Sequence, residues 1–144
     1  MARIADVMSL RAVAVRPEET VQVAIARMLE ENVGGVVVCE DGRLVGIFTE
    51  RDVLRLAGES SGFAELRVEH VMTRDVLTVA PDDEVVDAAR LMGERRIRHL
   101  PVVQDGNVLG LIGIREALRS LVEVLWREHD PAARETARGL LGRA

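Results

Sequence analysis

The chain of 144 residues contains no tyrosine, two phenylalanines, one tryptophan and a single cysteine. An aromatic content of 2% leaves no platform on which nucleic-acid bases could stack. The balance of 24 acidic against 19 basic residues, a net charge of -5, also argues against a phosphate-backbone binder. Nucleic acid is therefore excluded as a partner. With Cys39 alone, no intramolecular disulfide can form, and its place after Val36-Val37-Val38 suits a small buried hydrophobe. No window approaches the roughly 20 apolar residues of a membrane span. The start of the chain offers only Arg3 as a basic residue and no apolar stretch of signal-peptide length, so a cytoplasmic protein without a membrane partner is expected. Signatures of catalysis are missing too. No activated nucleophile or acid-base pair stands out, and His70, His99 and His129 lack the near neighbours that metal ligands on one element show. Neither an enzyme, a metal site nor a catalytic cofactor is expected.

What is present is a duplication. Shifting the sequence by 64 residues places Val7-Met8 on Val71-Met72, Val15 on Val79, Pro17 on Pro81, Val21 on Val85, Ala24 on Ala88 and Met28 on Met92. Without a gap, the same shift continues to Val38 on Val102, Asp41-Gly42 on Asp105-Gly106, Gly46 on Gly110, Arg51 on Arg115 and Leu54 on Leu118. Each copy is one supersecondary unit that must pack on its twin.

Periodicity changes in the same order within each copy. Alternation at Val13 and Val15, or at Val76 and Thr78, predicts a short strand ending at Pro17 or Pro81. Val21, Ile25, Met28 and Leu29 then recur at helical spacing behind Glu18-Glu19, and Val85, Ala88, Ala89 and Met92 do so behind Asp82-Asp83-Glu84. Next come apolar runs at 36–39 and 44–48, or 100–103 and 108–112, each pair joined by Asp-Gly, the strongest short-range hairpin signal. Helical stretches at 50–56 and 115–125 close the copies. The fold class is α/β (α+β), with the order β-α-β-β-α twice. The boundaries read as copy one at 1–57, a linker at 58–67 that includes the flexible Gly58 to Gly62 segment, copy two at 68–120, and a C-terminal helical tail at 121–144. In that tail Leu121, Val122, Leu125 and Trp126 extend the last helix, and Pro131 starts another that ends at Gly139 and Gly142.

Three motifs carry a resemblance: Val71-Met72-Thr73, Arg98-His99-Leu100-Pro101-Val102, and Gly46-Ile47-Phe48-Thr49-Glu50-Arg51-Asp52. Across about residues 4 to 120 the chain resembles the cystathionine β-synthase-type (CBS) domain family. Two such domains in tandem resemble a Bateman module, whose copies pack about a pseudo-two-fold axis and leave two clefts for adenine nucleotides. The resemblance implies a regulatory homodimer that senses AMP, ADP or ATP and acts on a protein partner, with no effector domain of its own. S-adenosylmethionine and NADH are other ligands of the family.

The chemistry of the third motif supports a ligand site. Gly46 lets backbone approach a ligand closely, Thr49 offers a hydroxyl at a helix start where phosphate is favoured, and Asp52, three residues on, can accept both hydroxyls of a ribose. The plainer alternative is that Thr49 is an N-cap and Asp52 compensates the helix dipole. Copy two has Gly113 and Glu116 at the matching positions, which removes the hydroxyl and is expected to displace the carboxylate out of hydrogen-bond range. The resemblance implies that Thr49 and Asp52 face Asp75, Val76, Arg98, His99, Leu100 and Pro101 of the other copy, with Arg98 neutralising phosphate and His99 adding a hydrogen bond. One competent cleft per chain follows. Arg95 and Arg96 read as a solvated helix end. A different class of function, an interaction scaffold whose C-terminal helices and Trp126 hold a partner, competes with the sensor.

Overall fold

The computed structural model describes residues 2–10, 12–59 and 62–129. A short helix α1 (Ile4–Val7) precedes β1 (Ala14–Val15), α2 (Val21–Glu31), β2 (Gly35–Glu40), β3 (Arg43–Thr49) and α3 (Glu50–Gly58). A 3-10 turn at Val68–His70 opens the second copy, which continues with α4 (Val85–Arg95), β4 (His99–Gln104), β5 (Asn107–Gly113) and α5 (Ile114–His129). The strands form a mixed sheet in the order β1-β2-β3-β5-β4, in which β1 is parallel to β2 and the other pairs are antiparallel. The two hairpins meet through one residue pair, Arg43 opposite Asn107.

Both hairpins turn as the Asp-Gly pairs require. Asp41, Gly42, Asp105 and Gly106 all have φ between 51° and 81°, the left-handed region that a two-residue turn matched to strand twist demands. The ladders also slip at the same place, between Val38 and Cys39 and between Val102 and Val103. Helix α2 is capped by Thr20, whose hydroxyl oxygen accepts from the Val23 N–H at 3.2 Å.

The expected first strand of copy two does not form. In copy one the Val37 N–H donates to the Val13 carbonyl at 2.9 Å, extending the parallel ladder beyond the β1 residues. Position 37 corresponds to Pro101, which has no N–H to give. Pairing in copy two is therefore confined to Val79, which bonds to the Pro101 carbonyl and the Val103 N–H, and residues 76–78 run free of the sheet.

Two apolar cores result, and each is completed by the other copy's leading segment. The first gathers Val21, Ala24, Val36, Val38 and Phe48 with Val68 and Met72. The second gathers Val85, Ala88, Leu100, Val102 and Ile112 with Ile4. The exchange is stitched symmetrically: Ile4 N–H donates to the Asp83 carbonyl and Val68 N–H to the Glu19 carbonyl, both at 2.9 Å. Gly58 is the last residue of α3, and Phe63 and Leu66 pack against the first core, so much of the 58–67 segment is structured rather than free. Helix α5 runs on through Trp126, while the helix expected after Pro131 lies outside the described residues.

Candidate functional site

The end of β3, the start of α3, the uncoiled segment 73–77 and the residues leading into β4 enclose a cleft of about 700 Å³. That is room for a small molecule of nucleotide size. Thr49, Asp52, Asp75, Val76, Arg98 and His99 all line it, so six of the nine residues singled out by sequence share one cavity. The missing strand of copy two helps here, because Val76 and Leu77, free of the sheet, form part of the opposite wall.

The other three do not line it. Strand residues alternate between faces, so while His99 faces the cleft, Leu100 is fully buried in the second core. Pro101 is also buried, and its carbonyl holds Val79. Gly46 permits a close approach, but by protein rather than ligand. A Cβ there would run into the Met72 sulfur and lie 3.0 Å from the Thr73 carbonyl oxygen, because Ile47 and Thr73 exchange two backbone hydrogen bonds of 3.0 Å directly beside it. Gly46 thus brings the 72–73 segment against β3 and positions one wall of the cleft.

At the start of α3, Asp52 is 7% exposed and its carboxylate is engaged on both oxygens. Oδ2 accepts from the Thr49 N–H at 2.9 Å and from the Thr49 hydroxyl at 3.3 Å, and Oδ1 accepts from Arg55 at 3.2 Å. The first of these is the reach-back of a capping box. Two acceptors with about four lone-pair directions still leave capacity for a sugar hydroxyl. Copy two makes the same reach-back with its longer side chain. The Glu116 Oε2 accepts from the Gly113 N–H at 3.1 Å. The physical reason is Gly113 itself, since a Cβ there would stand 2.7 Å from that oxygen; glycine leaves the space into which the extra methylene folds.

His99 is half-buried over Gly34 and Gly35 of the first copy, with Nε2 3.1 Å from where a Gly34 Cβ would be. Burial pushes its imidazole below the ordinary range; Glu50 and Glu116 draw it partly back, while Arg98 and Arg115 add to the depression. Sequence reasoning missed Glu50, Arg51, Arg55 and Thr73 as lining residues and set Arg96 aside as a solvated helix end. Arg51 and Arg55 were findable, since they flank Asp52 at the start of the same helix. Arg96 was not, because its position depends on the left-handed conformation (φ 55°) that ends α4.

The CBS domain model matches this chain twice, at residues 4–59 and 68–123. The chain belongs to the CBS domain family. An uncharacterized 17.7 kDa protein of Acidianus ambivalens is 34% identical over 135 residues, spanning 92% of this chain and 81% of that one. A crystal structure of a CBS domain protein, NE2398, superposes with a TM-score of 0.78 at 32% identity, covering 84% of this chain and 98% of that one. The structure of CBSX2 in complex with AMP gives a TM-score of 0.74 at 30% identity, covering 85% and 97%. The CBS pair so defined has its two family matches on the two halves of the duplication. Among its described residues no helix is long and apolar enough to cross a membrane.

Proposed function

We propose that this CBS pair is a non-catalytic regulatory module that binds an adenine nucleotide, AMP, ADP or ATP, in the cleft between its copies and signals occupancy to a protein partner. The observation that carries the reading is the convergence of Thr49, Asp52, Asp75, Val76, Arg98 and His99 on one cavity of about 700 Å³. In this reading Asp52 accepts from the ribose, the Thr49 hydroxyl turns from Asp52 to the phosphate, and Arg98 supplies the fork that matches phosphate oxygens. The relative of known structure that holds AMP supports the ligand class.

Signalling requires that ligand bind two arrangements of the module unequally. Each core contains the other copy's leading segment, so a ligand that draws 73–77 toward α3 also pulls on the partner core. Leu54 and Leu118, exposed at corresponding positions of the two copies, support a homodimer that covers them. The scaffold alternative draws on the Asp52–Arg55 pair, which satisfies the carboxylate without any ligand. Calorimetric titration with AMP, ADP and ATP separates the two. The nucleotide reading expects saturable binding at one site per chain, and no heat from any of the three overturns it.

A further inference from the structure

Four arginines line the cleft, Arg51, Arg55, Arg96 and Arg98. Arg55 is matched by Asp52 at 3.2 Å. Arg51 is not matched by any carboxylate among the described residues. It reaches instead across the cleft mouth from α3 to the backbone carbonyl of Arg96 in the other copy, at 3.2 Å. A carbonyl satisfies a donor but leaves the positive charge uncompensated. Arg96, whose carbonyl takes that bond, is a second exposed arginine of the cleft lining, again without a carboxylate partner among the described residues. The acidic lining groups lie elsewhere, Glu50 beside Gly34 and His99, and Asp75 on the 73–77 wall. Copy two keeps Arg51 as Arg115, but the first-copy position matching Arg96 is Asn32, so it is Arg96 that the shared fold does not demand.

A single phosphate is already provided for by Thr49, Arg98 and His99. Resting on the nucleotide reading above, we infer that Arg51 and Arg96 read the phosphates beyond the first, and that the cleft is specific for nucleoside di- and triphosphates over monophosphates. The Arg51 clasp to the Arg96 carbonyl is released when the guanidinium turns to a β- or γ-phosphate. Binding exchanges a neutral acceptor for a charged one at no cost in new desolvation of a buried group, since both side chains are exposed.

The test is titration of wild type, Arg51→Gln and Arg96→Gln with AMP and with ATP, with Arg90→Gln, an exposed arginine of α4 outside the cleft, as control. Wild type is expected to bind ATP about tenfold or more tighter than AMP, the factor that about 1.4 kcal/mol supplies. Each rim variant lowers ATP affinity by about tenfold and AMP affinity by less, so the ratio collapses, while the control keeps it. Wild type that binds AMP as tightly as ATP overturns the inference and leaves the nucleotide reading standing, as do rim variants that weaken AMP and ATP equally. Wild type that binds neither overturns both.

Discussion

Replacing Gly46 by alanine adds one methyl group, and the structure says where it goes. The new Cβ collides with the Met72 sulfur, lies 2.9 Å from the Met72 Cγ and 3.0 Å from the Thr73 carbonyl oxygen. Met72 is a flexible chain and can yield; the Thr73 carbonyl is backbone and cannot move alone. Overpacking of this kind costs about 1–3 kcal/mol. Spreading β3 from the 72–73 segment also strains the two 3.0 Å bonds between Ile47 and Thr73, each worth about 1 kcal/mol net. With about half of that bond energy lost, the total of about 2–4 kcal/mol corresponds to a fall in melting temperature of roughly 4–16 °C at about 2–4 °C per kcal/mol. Gly93 is the internal control. It sits inside α4 with nothing within 4 Å of the place a Cβ would take, so alanine there gains helix propensity of about 0.8–1 kcal/mol and raises the midpoint by about 2–4 °C. Thermal unfolding followed by circular dichroism measures both. The same chemical change must act with opposite sign at the two sites, and a Gly46→Ala protein as stable as wild type would refute the close-approach argument.

Phe48 is fully buried in the first core, so Phe48→Ala should cost about 3–5 kcal/mol in denaturant unfolding; a loss below about 1 kcal/mol contradicts its placement. His99 gives a pH prediction. Its folded pKa lies below its unfolded value of about 6.5, so at higher pH it is neutral in both states and carries no penalty. Below about pH 6.5 the unfolded chain takes up a proton that the folded chain resists, and stability is lost as pH falls toward the folded pKa. Stability of wild type relative to His99→Gln should therefore decline as pH falls from about 7.5 to about 5.5, and a difference that stays flat or grows contradicts the burial of the ring.

The duplication, both Asp-Gly hairpins and the longer helices were legible because their signals are local. Period, turn residues and self-similarity are all carried by neighbouring residues. The strand expected in copy two fails for a reason that lies elsewhere in the chain. Val76 and Thr78 alternate properly, but the ladder needs a donor at position 101, where proline stands. Long-range placement was equally hidden: nothing near Ile4 or Val68 announces that each belongs to the opposite core. In the site, residue types and spacing single out Thr49 and Asp52, and it is the family resemblance that brings Arg98 and His99 to the same cleft. Leu100 and Pro101 were carried along by their motif, although strand alternation alone turns Leu100 away from His99. That Glu116 reaches back to its own helix start was not legible from its length, because the bond depends on the space that Gly113 leaves.

Whether a nucleotide sits in the cleft against Asp52 is decided by thermal unfolding of wild type and Asp52→Ala with and without AMP, ADP and ATP. A ligand at about 100 times its Kd stabilises by about 2.7 kcal/mol, a rise of roughly 5–11 °C at about 2–4 °C per kcal/mol. The variant starts lower, because it loses the bonds to Thr49 and Arg55, so the quantity compared is the shift rather than the midpoint. At least one nucleotide is expected to raise the wild-type midpoint and to leave that of Asp52→Ala within about 1 °C. Equal shifts in the two proteins would place the ligand elsewhere, and no shift in wild type would contradict nucleotide binding outright.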